Sequence, residues 1–571
     1  MTETAGRGRH PWEKSYPPGI DWHMPIPERP MPDLFDESVA RFADRPCIDF
    51  LGRRWSYRET GAVADRVAKG LQRLGIAKGA TVGLFLPNTP YFVFGYQGIL
   101  KAGATVVNFN PLYAEQELVK QIEDSGVETM FCLDVAAVYS KLAPMLGRTR
   151  LKRIVVCPMR DALPFAKGLL FRLLKGRELA RIPDDAHHVR FRDLTANDGR
   201  FDPVTIEPRE DVAVLQYTGG TTGVPKGAML THANLSANTA QAAAWFPGAR
   251  PGQERMLGVL PLFHVFAMTG VMNLTIRLGG EMILLPRFEL EQVLKTIDAK
   301  KPTLFPAVPT IYTAINNHKE RDRYDLSSIR FCISGGAPLP VDVKETFERV
   351  TGCSLVEGYG LSETSPVAVV NPMGGVSKPG SIGLPVPGTR IEIVDLEDLS
   401  TPVPQGGRGE ICVVGPQVMK GYWNRPDETA KVLTPDGLLH TGDVGTMDAD
   451  GFVFIVDHIK DMILAGGYNV YPRNVEEAIY QHPAVAECIV LGVPDPYRGQ
   501  TVKAYVKRAH GQELSAEELK RFLQDKLSPI EMPKLVEFRD ELPKTMIGKL
   551  SRKALLDELE ANGQESSKAA G

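Results

Sequence analysis

The chain contains the run Tyr217-Thr218-Gly219-Gly220-Thr221-Thr222-Gly223-Val224-Pro225-Lys226-Gly227. Its four glycines let the backbone turn tightly and bring N–H groups against an anion, while three threonine hydroxyls and the Lys226 ammonium add donors and charge. The run is not a Walker loop, because that pattern places lysine and then serine or threonine directly after its last glycine, where this chain has Val224. A flexible surface turn is the alternative, but such a turn rarely carries Pro-Lys-Gly after an apolar run such as Val212–Leu215. The run therefore predicts a phosphate-binding loop.

Length and composition narrow the class of protein. A chain of 571 residues is too long for one hydrophobic core and predicts two or more domains. With Lys+Arg 66 against Asp+Glu 69, the formal charge of -3 does not favour nucleic acid as a partner. The seven cysteines lie far apart without a C-x-x-C pair, which argues against a disulfide framework and a zinc site, so we expect them to be reduced core residues.

The sequence shows no signal of secretion or of a membrane span. Residues 1–32 lack the apolar segment of a secretory signal, and no run reaches the roughly 18 apolar residues that cross a bilayer. We expect a cytoplasmic protein, with peripheral attachment to a membrane as an open alternative.

Apolar runs alternate with helix-like segments in the first part of the chain. The runs are Thr81–Leu86, Thr105–Asn108 and Thr129–Cys132, with a helix-like segment at Glu115–Ile122. This alternation predicts βαβ units around a parallel sheet, and the fold class α/β. The pattern resumes at 212–215, 282–285 and 331–333, so we expect sheet architecture up to about residue 390.

The pattern changes twice in the later part of the chain. Residues 391–394 and 409–414 are strand-like with few helical patterns between them, which predicts a β-rich subdomain that closes the body. Beyond Lys460, a helix-like segment at 472–481, strand-like segments and a capping box formed by Ser515 and Glu518 predict a small, separate α+β domain.

Residues 163–177 combine a large apolar surface with four cations and no acidic residue. Basic amphipathic segments of this kind lie in membrane interfaces, where anionic lipid attracts them. An ordinary helix packed on the body, with extended Lys and Arg side chains, is the equal alternative.

Three further runs carry groups suited to a nucleotide. The run Glu357–Thr364 offers carboxylates for Mg²⁺ and an aromatic face for a nucleobase. Asp443 lies between glycines, where it could accept hydrogen bonds from a ribose diol. Near the end, Pro543–Lys549 places a lysine on a short glycine-containing turn, suited to touching a phosphate when its domain swings in.

Taken in this order, the runs resemble the adenylate-forming superfamily of acyl- and aryl-CoA synthetases, luciferases and peptide-synthetase adenylation domains, and most closely its bacterial long-chain fatty acid–CoA ligases. The resemblance covers essentially the whole chain. It extends to the runs Ala228–His232, Pro261–Ala267, Gly335–Pro338, Ser381–Pro387 and Gly415–Met419.

The resemblance implies two half-reactions. A carboxylate and Mg-ATP give an acyl-adenylate and pyrophosphate, and the CoA thiol then displaces AMP, so ATP, CoA and Mg²⁺ are the implied co-substrates and metal. The implied metal ligands are Glu363 and Thr218, and the implied catalytic residues are Lys549, Lys226, His264 and Glu363. The implied ATP and AMP site consists of Thr218, Gly219, Gly220, Thr221, Thr222, Gly223, Lys226, Gly336, Ala337, Pro338, Tyr359, Gly360, Ser362, Asp443 and His458.

The resemblance also implies a moving C-terminal domain and an acyl pocket. Lys460 matches the hinge, and Gly466 and Gly467 match the loop that meets CoA. The acyl pocket maps onto His264, Met268, Val308 and Gly335, although His264 alone would be taken for a core histidine. The implied divisions are an N-terminal extension at 1–32, an AMP- and acyl-binding domain at 33–459, a mobile domain at 460–560 and a frayed tail at 561–571.

One residue departs from the family pattern. His458 stands where the family commonly has arginine, and imidazole lacks the guanidinium fork, so we expect weaker ATP binding.

Several alternative functions stay open. The alternative substrates are a dicarboxylate or an aromatic acid, because motifs define the AMP chemistry better than the acyl group. An acyl-AMP ligase that loads a carrier protein, and a silent adenylate-binding protein, are less favoured. A homodimer is a further hypothesis.

Overall fold

The computed structural model describes residues 10–218, 225–458, 461–465, 468–495, 499–545 and 550–559. The chain packs as two compact units, which are Met1–Arg390 with Val413–Leu439, and Ile391–Cys412 with His440–Gly571. No helix among the described residues is long and apolar enough to cross a membrane.

Strands form where apolar and β-branched residues cluster between Gly- and Pro-containing turns. In chain order they are β1 (Pro46–Phe50), β2 (Arg53–Ser56), β3 (Thr81–Phe85), β4 (Thr105–Asn108), β5 (Thr129–Leu133), β6 (Arg153–Cys157), β7 (His188–Arg190), β8 (Val212–Thr218), β9 (Lys226–Thr231), β10 (Arg255–Gly258), β11 (Glu281–Leu284), β12 (Phe331–Ser334), β13 (Ser354–Gly360), β14 (Val367–Val370), β15 (Leu384–Pro385), β16 (Arg390–Val394), β17 (Gly409–Val414), β18 (Leu439–Met447), β19 (Val453–His458), β20 (Ile463–Ala465), β21 (Tyr468–Val470), β22 (Val485–Asp495), β23 (Gly499–Arg508) and β24 (Leu535–Phe538).

The α-helices are α1 (Met31–Arg41), α2 (Tyr57–Arg73), α3 (Pro90–Lys101), α4 (Glu115–Ser125), α5 (Ala136–Leu142), α6 (Met159–Ala162), α7 (Phe165–Lys175), α8 (Phe191–Leu194), α9 (His232–Ala244), α10 (Val265–Ala267), α11 (Leu274–Leu278), α12 (Leu290–Lys300), α13 (Pro309–Asn316), α14 (Val341–Thr351), α15 (Pro426–Ala430), α16 (Pro472–Tyr480) and α17 (Ala516–Leu523). A π-helix, Met268–Asn273, joins α10 to α11, and residues 552–559 are also helical. Capping boxes start α2 and α17, and the second is the predicted pair Ser515 and Glu518.

A seven-stranded sheet organises the first part of the larger unit, in the order β7-β6-β5-β3-β4-β8-β9. Its strands run parallel from β7 to β8, and β9 returns antiparallel to β8. Both β4 and β5 are buried throughout, as expected of parallel strands covered on both faces. The predicted βαβ pattern of residues 81–134 is confirmed.

Two further sheets of this unit have the orders β10-β11-β1-β2 and β12-β13-β14-β15. Leu304 joins them, because its backbone pairs in parallel with Met256 on one side and with Phe331 on the other. The predicted strands at 282–285 and 331–333 are therefore confirmed as β11 and β12, although they lie outside the seven-stranded sheet.

The smaller unit contains most of a four-stranded sheet, β16-β17-β18-β19, and a second sheet in the order β21-β20-β23-β22 with β24 beside β23. The helices α16 and α17 pack on the second sheet, where Val475, Ile479, Leu519 and Leu523 share a core with its strands. The predicted strands at 391–394 and 409–414, and the predicted helices and strands beyond Lys460, are confirmed, although the structure groups most of the β-rich sheet with the smaller unit and not with the larger one.

All seven cysteines are buried and free. Burial raises the pKa of Cys47 to about 12, so its protonated thiol is maintained at neutral pH. The prediction that the cysteines are reduced core residues is confirmed.

Candidate active site

The predicted phosphate loop connects the two strands of a hairpin. The backbone of Thr218, the last residue of β8, pairs with that of Lys226, the first residue of β9. The hairpin therefore places the threonine and the lysine at the two ends of the connecting loop. The loop residues Gly219, Gly220, Thr221, Thr222 and Gly223 lie outside the described residues.

Lys226 is held by one acidic and one aromatic side chain. Its ammonium forms an ion pair with Glu428, and it lies 5.2 Å from the centroid of the Tyr422 ring. The hydrogen bond from Lys226, together with one from Lys431, lowers the pKa of Glu428 to about 2. Glu428 is therefore ionised throughout the neutral range, and Lys226 has an anionic partner that a phosphate group could replace.

Glu363 lies in a short 3-10 helix, Ser362–Thr364, that contacts both β8 and β9. The Tyr422 hydroxyl donates a hydrogen bond of 2.7 Å to its carboxylate oxygen Oε1. Burial, and then the charge of Glu363, raise the pKa of Tyr422, so the hydroxyl remains a donor. Tyr422 thus contacts the predicted lysine through its ring and the predicted metal ligand through its hydroxyl.

Tyr422 reaches this position because the chain around it lies along β9. The N–H of Met229 donates to Gly421 O at 2.9 Å, and the N–H of Trp423 donates to Gly227 O at 2.8 Å. Sequence reasoning missed Tyr422 and Glu428. Nothing local in this stretch indicates that it folds against a hairpin roughly 200 residues earlier.

The hairpin is also fixed from its other side by Asp124. One carboxylate oxygen accepts from the Tyr217 hydroxyl and the other from Arg425, each at 2.7 Å. The backbone carbonyl of Asp124 accepts from the Trp423 indole at 3.1 Å. These contacts tie β8 and the segment around Tyr422 to the end of α4.

The predicted adenine site lies at the ends of two neighbouring strands. Parallel pairing of β12 with β13 aligns Ser334 with Glu357, so the loop Gly336-Ala337-Pro338 follows one strand beside Tyr359 and Gly360 of the other. A Cβ atom at Gly360 would lie 1.8 Å from Pro366 O, so only glycine fits there. Ser362 and Glu363 follow directly, so Tyr359, Gly360, Ser362 and the predicted metal ligand Glu363 lie on one continuous segment.

The predicted acyl residues also converge. The ring of Phe266 lies about 3.1 Å from where a Cβ of Gly335 would be, which places the His264 turn against the end of β12. Val308 follows Ala307, whose carbonyl accepts from Gly335 N at 3.3 Å. His264 Nδ1 accepts from Phe266 N at 3.3 Å. Met268 is buried at the start of the π-helix, a type of helix that is frequent at functional sites.

Asp443 belongs to the smaller unit and is buried within β18 (Leu439–Met447). Gly442 adopts φ +75°, and its N–H donates to Glu410 at 2.8 Å. The N–H of Asp443 donates to the Thr441 hydroxyl at 3.1 Å. Strand pairing sets Asp443 opposite the backbone of His458, whose side chain is not among those described. Lys460, Gly466, Gly467 and Lys549 also lie outside the described residues.

Comparison with models of protein families identifies the family of this chain. The model of the family described as AMP-binding enzyme matches residues 35–423, which is more than half of the chain. The chain belongs to the AMP-binding enzyme family. The model of the AMP-binding enzyme C-terminal domain matches residues 474–549 of this AMP-binding enzyme, so the family covers both units.

Curated relatives of this AMP-binding enzyme match along its full length. It is 47% identical over 566 residues to a long-chain-fatty-acid–CoA ligase of Bacillus subtilis strain 168, covering 97% of this chain and 98% of the relative. It is 41% identical over 568 residues to the enzyme of that name from Escherichia coli O6:H1, covering 98% and 99%. The predicted resemblance to adenylate-forming ligases is confirmed.

A solved structure gives the same fold. The anthranilate CoA ligase AuaEII in complex with anthranoyl-AMP superimposes with a TM-score of 0.82 at 26% identity. The match covers 95% of this chain and 99% of that one. The predicted α/β fold class is confirmed for this AMP-binding enzyme.

Proposed function

We propose that this chain is an ATP-dependent long-chain fatty acid–CoA ligase, which converts a carboxylate, ATP and CoA to acyl-CoA, AMP and diphosphate through an acyl-adenylate. The observation that carries the proposal is the 47% identity to a long-chain-fatty-acid–CoA ligase over 566 residues, which includes every run of the candidate site. The medium- to long-chain preference rests on these relatives.

In the first half-reaction, Lys226 and the loop from Thr218 to Gly223 bind the β- and γ-phosphates. The Lys226 ammonium already has the anionic Glu428 as a partner, so its site accommodates a negatively charged oxygen. Glu363 and Thr218 supply carboxylate and hydroxyl oxygens, which are the hard donors that Mg²⁺ prefers. Mg²⁺ held by these oxygens would draw negative charge from the phosphates.

Gly336, Ala337, Pro338, Tyr359 and Gly360 form the adenine site of the proposed enzyme. Ser362 contacts the α-phosphate through its hydroxyl, and Asp443 accepts hydrogen bonds from the ribose diol, with His458 beside it. The strand pairing of β12 with β13, and of Asp443 with His458, supports both assignments.

The carboxylate enters a pocket formed by His264, Met268, Val308 and Gly335, with His264 near the carbon that becomes the thioester. The packing of Phe266 on Gly335 supports this placement, because it joins the His264 turn to the adenine loop. Met268 and Val308 are buried apolar residues, which is the residue type that the lining of an acyl site requires.

Lys549 bridges the carboxylate and the α-phosphate in the first half-reaction, and rotation about Lys460 then replaces it with the CoA loop at Gly466 and Gly467. This assigns residues 33–459 to a catalytic body and residues 460–560 to the moving domain. The separate match of the C-terminal family domain over residues 474–549 supports an independent module.

A dicarboxylate or aromatic acid is the second candidate substrate. The fold shared with the anthranilate CoA ligase supports an aromatic acid as an alternative. A panel of saturated fatty acids of graded length, with malonate, succinate and benzoate, tests the choice by CoA-dependent AMP release. The proposal expects the highest kcat/KM for palmitate or a near neighbour, and a maximum at a diacid or benzoate would contradict it.

We place the enzyme in the cytoplasm, with residues 163–177 in peripheral contact with the inner membrane surface. A homodimer stays a hypothesis, and light scattering of the purified protein tests it.

A further inference from the structure

The neighbouring strands β17 and β18 bring three metal-ligating side chains together in the smaller unit. Glu410 and Cys412 are two residues apart on β17, so their side chains point to the same face of the sheet. His440 lies on β18, the next strand of that sheet. One ligand atom from each of the three residues lies within 4.8 Å of the other two. The cluster is therefore compact enough to surround a single ion.

The Nδ1 atom of His440 faces both of the other groups. It lies 2.8 Å from Glu410 Oε2 and 3.4 Å from Cys412 Sγ. Zinc binds nitrogen, oxygen and sulfur at about 2.0–2.3 Å, so the ligand atoms of a tetrahedral site lie about 3.4–3.6 Å apart. The Nδ1–Sγ distance already has this value, and the Nδ1–Oε2 distance needs to open by about 0.6 Å when an ion replaces the hydrogen bond.

The carboxylate of the cluster is buried and carries a charge that a cation would balance. Glu410 is buried, and Cys412 beside it is fully buried. Within the described part of the chain, Glu410 pairs with His440, and no lysine or arginine forms an ion pair with it. Its second oxygen, Oε1, accepts a hydrogen bond of 2.8 Å from Gly442 N, which fixes the orientation of the carboxylate. A buried carboxylate in this setting favours a metal ion as its partner.

The types of ligand atom favour zinc over the alkaline-earth ions. Magnesium and calcium prefer sites built from oxygen, whereas one thiolate, one imidazole and one carboxylate form a mixed set that zinc accepts. This set differs from the oxygen ligands of the proposed magnesium site at Glu363. The side chain of His440 is 12% exposed, so an ion and a water molecule can reach the cluster from its side.

We propose that Glu410, Cys412 and His440 bind one Zn²⁺ ion, with water as the fourth ligand. On binding, the Cys412 thiol releases its proton to water and its sulfur forms the bond to zinc. The ion joins β17 to β18 beside Asp443, which follows His440 on the same strand. The site has no C-x-x-C pair, because its ligands come from two strands and are separated by up to 30 residues.

Cobalt(II) tests the site directly, because a cobalt–thiolate bond absorbs in the near ultraviolet whereas zinc has no such band. We expect the full chain, freed of metal with EDTA and without nucleotide, to bind one Co²⁺ with this band. Zn²⁺ should displace the cobalt, and excess Mg²⁺ should not. Absence of the band in the parent chain would overturn the proposal.

Cys412→Ser removes the thiolate and changes the volume little. The cobalt band should disappear, and the affinity for Zn²⁺ from isothermal titration should fall at least about tenfold, since even the loss of a group that only supports a ligand costs about 10–100-fold. His440→Gln should weaken zinc binding by a similar factor. An unchanged cobalt band and unchanged zinc affinity in Cys412→Ser would overturn the proposal.

The matched control is Cys353→Ser. The sulfur of Cys353 lies 3.7 Å from that of Cys332, so this pair is a second place where thiols meet. The control should keep the band and the zinc affinity of the parent, and loss of both there would assign the metal to the cysteine pair instead. Thermal unfolding in EDTA shows whether each variant is folded. If Cys412→Ser is not folded, His440→Gln decides, and parental zinc affinity in that variant would overturn the proposal.

Discussion

At the scale of single residues, Tyr422 connects the two charged groups of the candidate phosphate site. Its ring lies against the Lys226 ammonium and its hydroxyl donates to Glu363 at 2.7 Å. The carboxylate is therefore held by a neutral donor, and in the proposed function Tyr422 is a positioning residue for Glu363, the proposed metal ligand.

Tyr422→Phe removes the hydroxyl and retains the ring. Because a hydrogen bond to a charged group contributes about 1.5–3 kcal/mol, we expect kcat/KM for adenylation to fall about tenfold to hundredfold, with a higher Mg²⁺ requirement. Thioester formation from pre-made acyl-adenylate should stay at the parent rate. Pyrophosphate release and acyl-CoA formation, measured separately, check this.

A matched control is Tyr139→Phe, which removes a hydroxyl that contacts His188 far along the chain from the site. It should leave both half-reactions unchanged. An equal loss in both half-reactions for Tyr422→Phe, or no loss, would show that Tyr422 does not position Glu363.

His232 gives a prediction for pH. Its Nδ1 accepts from Met31 N at 3.1 Å, and burial lowers its pKa from 6.5 to about 4, with Asp211 opposing and Lys78 adding to the shift. The unfolded chain therefore binds more protons than the folded chain between pH 6.5 and 4, so stability falls as the pH drops through this window. We expect acidification from pH 7 to pH 5 to lower the thermal midpoint.

His232→Asn should reduce this pH dependence, because the amide oxygen can accept from Met31 N and does not titrate. Thermal unfolding of both proteins at pH 7 and pH 5 checks the prediction. An identical change in midpoint for the two proteins would contradict it.

His458 is the departure from the family pattern that we expect to weaken ATP binding. His458→Arg restores a charged fork beside the proposed ribose site, so we expect a KM for ATP several-fold lower at unchanged kcat. His458→Gln, which retains one hydrogen-bonding group without charge, should stay near the parent value. An unchanged or higher KM for the arginine variant counts against a ribose contact.

At the scale of elements, the features that sequence predicted well are local. The alternation over 81–134 and the capping box at Ser515 depend on residues close in the chain, and both are present. The placement of Tyr422 on β9 and the joining of two sheets by Leu304 depend on pairings between distant segments. The π-helix at Met268–Asn273 has no sequence pattern of its own. The residues that meet at the candidate site were therefore predictable from motifs, and the side chains that hold them in place were not.

Ser515→Ala tests the contribution of the predicted capping box at the start of α17. The Ser515 hydroxyl accepts from Glu518 N at 3.2 Å, and loss of such a cap costs about 1 kcal/mol. We expect the free energy of unfolding of the smaller unit, from denaturant titration, to fall by about that amount. Ser515→Asp retains an acceptor and should unfold like the parent. If alanine and aspartate are equally stable, the cap contributes nothing to this helix.

At the scale of the whole molecule, the proposed mechanism uses one site for two reactions. Lys549→Ala should abolish adenylate formation, at least about hundredfold, and leave thioester formation from pre-made acyl-adenylate largely intact. Lys553→Ala removes an exposed lysine close in sequence and should change neither half-reaction. Equal losses in both half-reactions for Lys549→Ala would contradict the exchange of Lys549 for the CoA loop.

The most direct test of the central claim is the stoichiometry of the complete reaction. The purified chain is incubated with palmitate, ATP, Mg²⁺ and CoA, and the nucleotide and thioester products are quantified together. The account predicts AMP and palmitoyl-CoA in equal amounts, with one pyrophosphate for each. Release of ADP and phosphate, or AMP without palmitoyl-CoA, would contradict it.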